Sequence, residues 1–115
     1  MTTPISDLLK CPQDGGGNTG ILLCSARVVC GTSPTISTDN GFASITRNGT
    51  GDYTLGFEQS FASAPFGWLV AEGSSDTYNA QLHSQPTTSS MRVLVYNDAG
   101  SAADPTAIHA FALGA

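Results

Sequence analysis

Gly41-Phe-Ala-Ser-Ile-Thr-Arg-Asn-Gly-Thr-Gly-Asp-Tyr-Thr-Leu-Gly-Phe57 is the stretch that decides the fold. Phe42, Ile45 and Thr46 are strand formers ahead of a turn. Asn48-Gly-Thr-Gly51 supplies residues that tolerate positive φ, which a tight antiparallel connection needs. Beyond the turn, Tyr53, Leu55 and Phe57 alternate with small or polar residues, so that strand has one apolar face. The run predicts a β-hairpin with one side turned to a core.

Similar segments flank the hairpin. Ile21–Cys30 is apolar and β-branched at Val28 and Val29, and Gly31-Thr-Ser-Pro34 breaks it. Phe66–Ala71, a polar run from Thr77 to His83, Met91–Tyr96 and Ala107–Leu113 follow, each bounded by turn residues. Seven strands at roughly ten-residue spacing, with no helix among them, predict an all-β fold. The expected architecture is an antiparallel β-sandwich, jelly-roll-like, with a short N-terminal arm. Phe57, Phe61, Phe66 and Phe111 are expected in its core. Residues 1–20 read as that arm with its connector: Ile5, Leu8 and Leu9 have helical spacing, and a glycine-rich tether follows. Residues 21–115 form the sandwich domain, and 115 residues suffice for one core only.

Charged residues are 11% of the chain, well under the roughly 25% usual for soluble proteins. Ser, Thr, Gly and Asn take their place, a surface common in extracellular β modules and assembled shells. The four basic residues Lys10, Arg27, Arg47 and Arg92 are scattered, and the net charge is −5. That balance argues against nucleic-acid partners and against a polybasic membrane contact. The first ten residues lack a basic start followed by an apolar core, which predicts a chain made and kept in a cytoplasm during assembly. Cys11, Cys24 and Cys30 are an odd number with no zinc spacing. They read as reduced thiols or as the source of an inter-subunit disulfide.

Chemistry is not indicated. No Gly-x-Ser-x-Gly elbow is present, and His109 alternates with Phe111 and Leu113 as a half-buried sheet residue would. His83 reads as solvated. Asp52, Glu58, Glu72 and Asp76 lie near strand ends, where acids are ordinary turn residues rather than a glycosidase pair. Asp98 and Asp104 bracket a loop without the alternating ligands of a calcium site. No catalytic residue, metal ligand or cofactor is expected. Tyr53, Trp68 and Tyr96 are candidates for a subunit interface, where aromatics are enriched.

The hairpin run, then Phe61 and Pro65, then the pair Arg92–Tyr96 and Ala107–Leu113, resembles small β domains of tailed-phage virion proteins. These include capsid decoration (cement) proteins and fibre-tip domains, with a related look in C1q-like and TNF-like jelly rolls. The resemblance covers residues 27–113. It implies a non-enzymatic module on the virion surface, assembled as a homotrimer or, less favoured, a homodimer. With only a short arm before the domain, a decoration protein is the expected function: one that binds the major capsid protein on the assembled head and stabilises the shell. Ile5, Leu8 and Leu9 would anchor it. A tail-fibre or host-surface (glycan) binding module is the alternative.

Overall fold

The computed structural model describes residues 22–73 and 76–114. Eight strands run β1 (Leu22–Val29), β2 (Thr35–Asn40), β3 (Phe42–Gly49), β4 (Asp52–Phe57), β5 (Phe66–Glu72), β6 (Tyr78–Leu82), β7 (Ser90–Asn97) and β8 (Ala107–Gly114). They build two four-stranded antiparallel sheets, β2-β1-β8-β5 and β3-β4-β7-β6, called here the β1 sheet and the β4 sheet. The chain changes sheet between β2 and β3, β4 and β5, β5 and β6, and β7 and β8. First and last strands pair at the middle of one sheet. The expected all-β, jelly-roll-like sandwich is the fold. The arm residues Ile5, Leu8 and Leu9 lie outside the described residues, as does Cys11.

The hairpin that predicts the fold is β3–β4, closed by Thr50-Gly51. Of the turn residues only Gly51 takes positive φ, at 65°. A Cβ there would lie 2.5 Å from the Val95 carbonyl oxygen and 2.8 Å from the Ala103 nitrogen, so glycine is required for space as well as for backbone conformation. Asn48, expected in the turn, belongs to β3. Its side-chain amide donates to Asp52 Oδ1 at 3.1 Å and Thr54 Oγ1 at 2.8 Å.

A polar staple fixes this end of the sandwich. Asp104, before β8, accepts hydrogen bonds from the Gly51 backbone at 2.8 Å, the Tyr53 hydroxyl at 2.5 Å and Arg47 Nη2 at 2.9 Å. Burial opposes the Asp104 charge, but these donors outweigh it and hold the carboxyl below its ordinary range. Burial, then the bond to Asp104, pushes the Tyr53 phenol upward. Burial also raises the Cys30 thiol to about 11, which favours its protonated form at neutral pH. Cys24 is buried, and both are free cysteines.

Strand β2 escapes the sequence reading. Its Thr-Ile-Ser-Thr-Asp-Asn is exposed throughout except at half-buried Ile36, so it carries no period-two signal. It is an edge strand attached to β1 through a ladder that shifts register between Arg27 and Val28.

The core is asymmetric. From the β4 sheet it takes Phe42, Tyr53, Leu55, Phe57, Met91, Val93 and Val95. The β1 sheet contributes mostly smaller groups: Cys24, Ala26, Val28, Ile108, Ala110 and Ala112. Phe61, from the β4–β5 connection, sets its ring edge-on to Phe57 at 4.9 Å between centroids. Two of the four phenylalanines expected in the core leave it. Phe66 is 79% exposed, and Phe111 is half-buried on the outer side of β8.

Candidate functional site

The outer face of the β1 sheet carries the residues that the core does not use. Alternation along β5 turns Gly67, Leu69 and Ala71 inward and Phe66, Trp68, Val70 and Glu72 outward. On β8 the inward set is Ile108, Ala110 and Ala112, leaving His109, Phe111 and Leu113 outside. The reason is steric: the side chains of the β4 sheet fill the interior, and the facing strands must present small groups. A Cβ on Gly67 would meet Met91 Cε at 3.2 Å and Pro86 Cγ at 3.3 Å.

Register then sets rows across the sheet. One row runs Leu23–Leu113–Phe66, the next Asn40–Ser25–Phe111–Trp68, and the third Thr38–Arg27–His109–Val70. The face therefore divides into a polar half over β2 and β1 and an apolar half over β8 and β5. Trp68 and Phe111 stack with centroids 5.1 Å apart and planes 8° apart. Phe66, Trp68 and Val70 remain 79%, 44% and 56% exposed, and they lie on one strand. Apolar side chains clustered this way mark interaction surfaces, whereas single ones do not.

Beside the stripe, Arg27 donates to both oxygens of Glu72, at 2.7 and 3.2 Å, and to Ser37 Oγ at 3.4 Å. His109 Nε2 lies 2.6 Å from Glu72 Oε2. The Arg27 bond, then the His109 bond, holds the Glu72 carboxyl below its usual range, and Glu72 in turn raises the Arg27 guanidinium. These half-buried groups pair with one another and leave the apolar stripe bordered by a closed polar network.

A groove of about 310 Å³ indents the polar half. Small Ser25 lies between Asn40 and Phe111 in its row, and this step in side-chain size makes the depression. Ala26, Arg27, Thr38, Asp39 and His109 complete its lining.

The three aromatics expected at a subunit interface do not share a surface. Tyr53 is fully buried, a core residue anchored to Asp104, and has no surface to offer a partner. Trp68 lies on the outer β1 sheet. Tyr96 points from the outer side of β7, on the opposite sheet. The acids are likewise dispersed. Asp52 is paired with Arg92 at 2.7 Å, Glu72 with Arg27 and His109, and Glu58 and Asp76 are exposed. Asp104 turns inward to the staple while Asp98 is exposed. His83 is exposed beside Ser84. Among the described residues no group of three His, Cys, Asp or Glu is placed to hold a metal ion, and no helix is long and apolar enough to cross a membrane.

Sequence reasoning misses the site's outline: Leu23, Phe66, Val70 and Phe111 with the Arg27–Glu72–His109 network. The alternation of Phe66, Trp68 and Val70 is legible, but alternation alone does not say which side is outside. The small partners Gly67, Ala71, Ala110 and Ala112 are the available signal. Fold and surface define an antiparallel β-sandwich with an amphipathic outer sheet face. No protein-family model, no curated protein and no solved structure matches the chain.

Proposed function

We propose that this protein is a phage capsid decoration protein, a non-enzymatic module that self-associates and binds the major capsid protein on the outer surface of the assembled head. The observation that carries the proposal is the exposed stripe Phe66, Trp68 and Val70 on one strand of a sandwich whose core is already filled. Solvation of such a stripe is unfavourable, and burial against another protein surface relieves it. The sparse charge of the chain and its resemblance to virion β domains support the same reading.

The area of the stripe says what else is needed. Large apolar side chains bury about 150–250 Å² each, so the stripe at its observed exposure supplies about half of the ~800 Å² per partner in a standard interface. Leu23 and Leu113 extend it on one side. Capsid anchoring we assign separately to the arm residues Ile5, Leu8 and Leu9. Assembly as a homotrimer, or as a homodimer, places the stripe at the subunit contact and leaves the arms to grip the lattice.

Cryo-electron microscopy of particles from cells expressing the protein tests the proposal. Density is expected on the head surface, and heads stripped of it should lose genome at a lower temperature. Density on the tail alone would select a host-binding module instead, and absence from purified particles would end the virion assignment.

A further inference from the structure

We propose that the groove between β2 and β8 binds a neutral saccharide, with a pyranose ring packed against Phe111 and its hydroxyls taken by the polar side chains around it. This goes beyond head decoration and stands or falls independently of it. The lining is of the type such a ligand needs. A sugar ring presents an apolar C–H face and a rim of hydroxyls that each donate and accept.

Phe111 supplies an apolar wall, held in orientation by its stack on Trp68. Around it are the hydroxyls of Ser25 and Thr38, neither of which makes a side-chain hydrogen bond among the described residues. Asn40 spends its amide nitrogen on the Leu23 carbonyl at 2.8 Å, which orients the side chain and leaves its oxygen to accept. His109 uses Nε2 on Glu72, so Nδ1 is left for a ligand.

Charge excludes the competing class. The cation of the groove, Arg27, has its charge paired with Glu72 through both carboxylate oxygens and a further donor spent on Ser37, so it is already neutralised against a phosphate or carboxylate. What is left unpaired is hydroxyl, amide, imidazole and the Asp39 carboxylate, which can accept from sugar hydroxyls and repels an anionic ligand. The groove, about 310 Å³, sits at the low end of the roughly 300–1,000 Å³ of small-molecule clefts, which suits one or two rings rather than a long chain. An open, shallow site of this kind binds weakly, and repetition on an oligomer would raise its avidity.

The test is an amide-shift titration of the full chain by nuclear magnetic resonance, with glucose, galactose and N-acetylglucosamine and their short β-linked oligomers as probes. Saturable shifts are expected at Ser25, Arg27, Thr38, Asn40, His109 and Phe111 for at least one probe. Phe111→Ala should weaken that binding on the order of tenfold, the size of one aromatic contact. Thr38→Trp, on an exposed edge strand where the fold tolerates it, should block the groove and abolish the shifts. Absence of saturable shifts with every probe at tens of millimolar overturns the proposal. So do shifts centred on another face, or binding unaltered by Thr38→Trp. Because no capsid is present, failure here says nothing against head binding.

Discussion

The two sheets of this sandwich treat the same kind of residue in opposite ways. The β4 sheet turns its large side chains inward, with Tyr53, Leu55, Met91, Val93 and Val95 all essentially inaccessible. The β1 sheet turns mostly small groups inward, with Val28, Leu69 and Ile108 the larger exceptions, and shows Phe66, Trp68 and Val70 to solvent. A large residue in the first sheet supports the fold, and a large residue on the outside of the second is available for a partner. Period-two patterning is as clean in β5 and β8 of the one sheet as in β4 of the other, so amphipathicity by itself does not separate stability from recognition.

The comparison can be broken most forcefully at Leu55. Replacing it with alanine deletes buried contacts on the β4 sheet and should cost about 2–5 kcal/mol, read as a lower urea midpoint. Overpacking the opposite wall should cost less. Ala110→Leu forces a larger group against the filled interior, with an expected loss of about 1–3 kcal/mol in the same assay. If that variant proves neutral, the small residues of the β1 sheet are not dictated by packing, and the account of the outward aromatics fails.

The staple between the sheets predicts a smaller effect with a pH signature. Asp104→Asn keeps an acceptor but loses the charge, and should cost about 1 kcal/mol near neutral pH. The folded-state pKa of Asp104 is depressed, so its contribution is present above the ordinary aspartate value of about 3.9 and fades as pH falls through the folded value. Wild type and variant stabilities should therefore converge in acid; a constant gap would show that charge plays no part. Phe66→Ser is expected to change stability least, within about 0.5 kcal/mol, because the side chain is mostly in water already. Its effect should appear in sedimentation velocity, as a shift toward monomer. A stability loss equal to that of Leu55→Ala would erase the distinction between the sheets.

Much of this fold is legible in the sequence, and the gaps have physical causes. Tyr53, Leu55 and Phe57 declare the hairpin and its buried side because their alternation is sharp and their turn is glycine-bearing. Strand β2 is silent because an edge strand that buries only part of Ile36 needs no apolar pattern. Phe66 and Phe111 misdirect because large apolar residues normally go inside, and only alternation with Gly67 on β5 and with Ala110 and Ala112 on β8 shows that these do not. Tyr53 misleads in the reverse sense. Its hydroxyl suggests a surface, yet a carboxylate 51 residues away satisfies it in the interior. The groove is the least legible feature. Ser25, Asn40 and Phe111 come from three strands, and their meeting depends on register that no local stretch encodes.

The pairing of Leu22 with Gly114, and of the whole of β1 with β8, has a kinetic consequence. The centre of one sheet is made from the two described segments farthest apart along the chain. Loop closure over that span is the slow step for a topology of this kind. On the ribosome, β3 and β4 can zip as soon as they emerge, whereas β1 must wait with one ladder unfilled until residues 107–114 have been synthesised. During that interval the flank of Cys24, Ala26 and Val28 is open to other nascent chains.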